Sequence, residues 1–143
     1  MWAAQNLAYN LDFIPDDKLD WKPAPTANSA LEIVHHLVDV IHRIDATLAG
    51  NAGDAVELEP FHTREQAKCR LLDAARRYAD TLRAVNPQDM EGTVEVPFGT
   101  FPKAVFFTIP VTDAIHHHGQ IAYIQELLGD TESHFDMALL GNR

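Results

Sequence analysis

The stretch from Thr112 to Ile121, with the residues just after it, constrains the fold most. Ala114, His117, Ile121, Ile124 and Leu128 recur there at steps of three and four. That period is one stripe of an α-helix facing the interior of a bundle, and it carries His117 inward. Asp113 lies four residues before His117 and Gln120 three after it, so the three side chains share one face within a turn. His116 and His118, the outer members of a triple histidine, point elsewhere. An imidazole in an apolar stripe is costly unless both ring nitrogens are satisfied, and a carboxylate at i−4 can serve as hydrogen-bond partner or as fellow metal ligand.

Two more helices follow from the same period. Ser29 and Glu32 have the spacing of a capping box, and Ile33, Leu37, Val40, Ile44 and Leu48 give a buried stripe that runs to about Ala49, where Gly50 stops it. His36 sits on the border of that stripe, where it can look into the bundle, whereas His35 groups with Glu32, Asp39 and His42 on the polar side. Glu65 to about Val85 forms the next helix, with Leu71 or Leu72, Ala75, Tyr78, Leu82 and Val85 inward and its arginines on a solvated face. A first helix from Met1 to about Phe13 is short and ends before Pro15.

The connectors carry turn chemistry. Pro15 to Asn28 holds three of the eight prolines and reads as a loop, with Trp21 plugging the core edge. Asn51 to Thr63 is a polar, acidic loop without a motif. Thr93-Val94-Glu95-Val96 alternates like a strand, Pro97 to Thr100 reads as a turn and Phe101 opens a short return, so a small hairpin precedes the last helix. Pro110 predicts a kink or a fresh start, which would put Asp113 in the first turn of the last helix. The tail from Asp130 to Arg143 is expected to lie along the bundle or a partner chain.

These elements predict an all-α chain, a four-helix bundle with a hairpin-like insertion, in a single domain spanning 1–143. A net charge of −10 with only 11 scattered Lys and Arg argues against nucleic-acid and anionic-membrane partners. No apolar run approaches the length of a membrane span, and no secretion leader is visible. The single Cys69 excludes an internal disulfide and fits a reducing, cytoplasmic setting; as a thiol it reads as a small helix residue.

Singly, His36, Asp113 and His117 have ordinary explanations: a boundary histidine, a carboxylate in a helix's first turn, and a satisfied core imidazole. Together they meet the requirement for three ligands on one face of a metal, with the remaining positions left open. Imidazole and carboxylate suit zinc, nickel, iron or manganese alike. Gln120 would then hold a ligand from behind.

His117-His118-Gly119-Gln120-Ile121 resembles the HRGQI signature of the DinB-like superfamily. Leu19-Asp20-Trp21-Lys22-Pro23, followed by Ser29 to Ile33 and His36-Leu37, resembles that family's lead into its second helix. The resemblance implies a bundle holding a divalent metal with one ligand from the second helix and two at i and i+4 on the last. Carried over, His36 is the first ligand and His117 the third. The second position, commonly histidine in the family, is Asp113 here, with His116 as a substitute ligand.

What the resemblance further implies is a metal-dependent enzyme, a thiol S-transferase or related hydrolase that acts on a small molecule with a low-molecular-weight thiol as co-substrate. Trp21 and the hairpin phenylalanines would wall the pocket, and His116 is an outside candidate for the general base. The rival expectation is a metal-binding or metal-free module that dimerises and performs no turnover. A homodimer is expected on either reading, because a short first helix would leave apolar surface to cover.

Overall fold

A computed structural model of the protein describes residues 1–51 and 58–140. Four helices form the bundle: α1 (Trp2–Asn10), α2 (Ala30–Leu48), α3 (Arg64–Ala84) and, after a hairpin β1 (Thr93–Val96) and β2 (Gly99–Pro102) and a single-turn α4 (Lys103–Phe106), the helix α5 (Ile109–Leu127). In contact order the ring runs α1, α5, α2, α3 and back to α1. Both α1 to α2 and α3 to α5 are therefore diagonal steps. That is why the connectors after α1 and after α3 are long, and why one of them has room for a hairpin.

The caps do what the sequence requires. The Ser29 hydroxyl accepts from the Glu32 amide while the Glu32 carboxylate accepts from the Ser29 amide, a complete capping box that stabilises α2 by about 1 kcal/mol. Lys22 reaches the same carboxylate at 2.6 Å, and its hydrogen bond holds Glu32 below the usual carboxylate range. At the other end Gly50 adopts a φ of 79°, the left-handed conformation that stops a helix at little cost only for glycine. The Thr63 side chain caps α3 by accepting from the Gln66 amide.

The core is continuous across the four helices, with Leu7, Leu11 and Ile14, Leu37, Val38 and Ile41, Leu71, and Ile121 all but inaccessible. On α2 the stripe is wider than expected: Ile41 is buried and Val40 and Leu48 only partly so, because this helix packs on both α3 and α5. On α3 it is Leu71, not Leu72, that is buried. The last helix restarts as Pro110 dictates, with the proline in the first turn, where its missing N–H leaves no hydrogen bond broken. The buried Tyr78 hydroxyl donates to the Phe107 carbonyl at 2.6 Å and fixes this break; burial raises its pKa.

Some local expectations change. The short first helix continues as a 3-10 turn over Leu11–Phe13, which is why Leu11 and Ile14 still reach the core. The arginines of α3 are not all solvated, since Arg64 donates to the Leu11 and Ile14 carbonyls and pairs with Asp16, tying α3 to the end of α1. Val96 pairs with Gly99, so the hairpin turn is Pro97-Phe98 alone and the return begins at Gly99, not Phe101. The expected loop from Asn51 to Thr63 is described only at its ends, residues 52–57 lying outside the described residues, as do 141–143 of the tail. No helix among the described residues is long and apolar enough to cross a membrane.

Candidate metal centre

Helix geometry alone delivers two of the three side chains. Asp113 and His117 stand one turn apart on α5, and α2, its neighbour in the ring, brings His36 to the same place. The ligating atoms of the three residues all lie within 4.8 Å of one another. His117 Nε2 is 3.4 Å from Asp113 Oδ1, and His36 Nε2 is 3.7 Å from Asp113 Oδ2. The two imidazoles meet edge to face with centroids 5.1 Å apart. His117 is buried and Asp113 mostly so, whereas the side chain of His36 is 50% exposed, so it closes the cluster from the solvent side and not from inside the bundle.

The proton on His117 can be placed. Its Nδ1 lies 2.6 Å from Gln120 Oε1, an atom that only accepts, so Nδ1 carries the hydrogen and Nε2 presents a lone pair to the cluster. That lone pair faces a carboxylate, which is also electron-rich. Both His117 Nε2 and Asp113 Oδ2 are buried without any hydrogen-bond partner. Such atoms each cost about 1–3 kcal/mol unless something positive sits between them. A bare proton on Nε2 would draw the pair to the 2.7–2.9 Å of a charge-assisted bond, shorter than the 3.4 Å found. Two imidazole nitrogens and a carboxylate could hold a divalent metal ion, and the donor set fits one.

Asp113 does not lie in the first turn of α5, which spans Ile109 to Thr112 and contains no acidic residue. The helix dipole acts mainly within that turn, so it leaves most of the carboxylate's placement unexplained. His116 is exposed, its ring 5.0 Å from that of His117, and it is not a member of the cluster. Trp21 is half-buried against the core, Phe101 stacks between Phe98 and Phe106, and Phe98 is 72% exposed at the hairpin tip. Cavities of about 140 and 50 Å³ lie along α1, α5 and the tail, and neither is lined by Trp21, the hairpin phenylalanines or the cluster.

Sequence reasoning missed a second polar system on the same helix. His118 Nε2 donates to Asn10 Oδ1, Asn10 Nδ2 donates to Gln125 Oε1 at 2.6 Å, and Gln125 Nε2 donates to the Glu132 carbonyl. One turn earlier on α1, Asn6 exchanges hydrogen bonds with the backbone of Asp136. The side chains of Asn6, Asn10 and Gln125 are all about 1% exposed, and burial pushes the His118 pKa down. The signal was there in Asn6 and Asn10, two amides four apart on the same stripe as Leu7 and Leu11.

The comparisons agree with this architecture. The chain is similar to a DinB-like protein from Bacillus subtilis, with 19% identity over 90% of this chain and 88% of that one and a TM-score of 0.71. It is similar too to a DinB-like protein from Bacillus cereus, with 16% identity over 90% and 87% of the two chains and a TM-score of 0.71. At these identities the likeness concerns the fold. No curated protein matches the sequence. The sequence model of the DinB superfamily matches residues 2–121, a span that takes in α1 and every residue of the histidine–aspartate cluster. With most of its length matched and the bundle in common, the chain belongs to the DinB superfamily.

Proposed function

We propose that this protein is a divalent-metal-dependent enzyme acting on a small molecule, most plausibly a thiol S-transferase or a related hydrolase. His36, Asp113 and His117 would hold the metal, and Gln120 would fix the His117 ring and its tautomer. The observation that carries the reading is the pair of orphaned buried atoms, His117 Nε2 and Asp113 Oδ2, facing one another. A metal in this place would supply Lewis acidity that makes a thiol or water nucleophilic at neutral pH.

The chain's own residues account for the rest. Gln120 prevents the buried imidazole from turning its N–H into the cluster. Half-exposed His36 leaves an approach from solvent, as a site with open positions requires. The free, exposed Cys69 accords with a reducing, cytoplasmic setting.

One observation favours a second reading, a metal-binding or dimerising module without turnover: the two cavities lie away from the cluster. The experiment that tests both is metal analysis of untagged protein, followed by thiol-consumption assays of the loaded protein against a panel of small electrophiles. Near-stoichiometric metal with turnover supports the enzyme. Metal without turnover supports the module, and no metal after incubation with zinc, nickel, iron and manganese removes the first reading.

A further inference from the structure

Helix α5 is apolar on two sides. Its inner face buries Ala114, His117, Ile121 and Ile124, yet Val111, Ile115, Tyr123 and Leu127 are 41%, 49%, 59% and 47% exposed. A helix with apolar residues on opposite faces is normally covered on both. The uncovered surface is thus on α5 and not on the short α1, whose inner residues Leu7 and Ala8 are buried.

The order of these residues says what covers it. Counting outward from Gly119, Ile115 and Tyr123 are four residues away on either side, and Val111 and Leu127 eight. The ridge reads the same in chemical type from either end, the property of a surface that meets its own copy about a two-fold axis. We infer that a second copy of this chain docks on the outer face of α5, the two helices crossing antiparallel at Gly119. Ile115 then meets Tyr123 of the second copy, Val111 meets its Leu127, and glycine faces glycine.

Three further features fit that occupant. A Cβ built on Gly119 meets nothing within 4 Å, so the glycine serves no packing need inside its own chain and lets a second backbone approach closely. Ridges of i±4 residues interdigitate at about −50°, with axes near the short end of the 8–10 Å range when small residues occupy the crossing. An apolar recess of about 50 Å³ beside Ile115, bordered by Trp2, Ala3 and Phe135, lies where the Tyr123 ring of the second copy would arrive.

Charge is complementary as well. The face carries one acidic residue, Glu126, and the axis sets it opposite Thr112 of the other copy, in the first turn of that helix, where the dipole favours a carboxylate. The four apolar side chains expose on the order of 400 Å², about half of the ~800 Å² per partner of a standard interface, and Thr112, His116 and Glu126 form the rim.

Sedimentation equilibrium of the full chain tests this independently of any metal. The expected mass is twice the 16.0 kDa of one chain. Gly119→Leu and Tyr123→Glu should each return it to one chain with unchanged helical circular dichroism, while Phe98→Glu, at the exposed hairpin tip, should leave two. In a Cys69→Ser background, Gly119→Cys should cross-link to a dimer under mild thiol oxidation. A single-chain mass for the wild type overturns the proposal, as does a two-chain mass that survives both interface substitutions or gives no cross-link at position 119.

Discussion

The Nδ1–H of His117 donates to Gln120 Oε1 at 2.6 Å, and this bond turns the other ring nitrogen, as a lone pair, toward Asp113. A glutamine three residues on is thereby made to choose the tautomer of a buried imidazole. Gln120→Leu should weaken metal binding by about 10–100-fold, the usual cost of losing the group that orients a ligating histidine. Gln120→Glu, which keeps an acceptor in place, should recover most of it. Competition against a fluorescent chelator reads both affinities, and equal affinities for wild type and Gln120→Leu would sink the orienting role.

Asp113 should show opposite signs with and without metal. In the metal-free protein its Oδ2 is buried and unpartnered, so Asp113→Ala removes an acceptor that costs stability and should change the unfolding free energy by no more than about 1 kcal/mol in either direction. With metal at a hundredfold excess over its Kd, the wild type should gain about 2.7 kcal/mol and Asp113→Ala much less. Asp113→His, which restores the donor type the family resemblance implies, should keep the gain. Urea unfolding with and without zinc measures all four quantities; an equal zinc effect in wild type and Asp113→Ala would remove Asp113 from the ligand set.

The bundle, the hairpin, the capping box and the restart at Pro110 were legible because each rests on local chemistry: a period, a cap, a proline. The juxtaposition of His36 with Asp113 and His117 was legible from helical phase, given that α2 and α5 are neighbours in the ring. Not legible was how far from the axis His36 sits, since a stripe-border residue turns in or out according to how two helices roll against each other. The buried amides were missed for a related reason. Asn10 and Gln125 are 115 residues apart, and each looks polar and exposed until the partner that satisfies it is in place.

The tail should come loose when that pairing is broken. Gln125 joins Asn10 of α1 to the Glu132 carbonyl, while Asn6 holds the backbone of Asp136 and the His134 ring stacks on Phe13 at 3.4 Å. Gln125→Leu leaves the Asn10 amide buried without its acceptor, so it should cost about 1–3 kcal/mol. It should also raise hydrogen exchange at Glu132 and Asp136 before the helices are affected. Asn10→Leu combined with Gln125→Leu should be less than additive, because the second change removes a group the first had orphaned. Strict additivity of the two would show that the amides do not act as a pair.

His42 should make the bundle sensitive to mild acid. Burial, and then the neighbouring Arg77 guanidinium, lower its pKa from 6.5; Asp39 and Asp45 oppose this and Arg70 adds to it. Arg77 Nη2 lies 3.1 Å from His42 Nε2, and because guanidinium only donates, the ring accepts and must be neutral there. As pH falls, the unfolded chain therefore takes up this proton first. The contribution is fully present above 6.5, declines below it, and levels off once pH passes the folded value. Arg77→Met removes both the cation and the donor, so the His42 pKa should rise toward its ordinary value and the loss of stability below pH 6.5 should shrink. Imidazole titration by NMR in both proteins, beside melting curves above and below that pH, checks the two halves. A His42 pKa that does not move in Arg77→Met would leave burial as the sole cause.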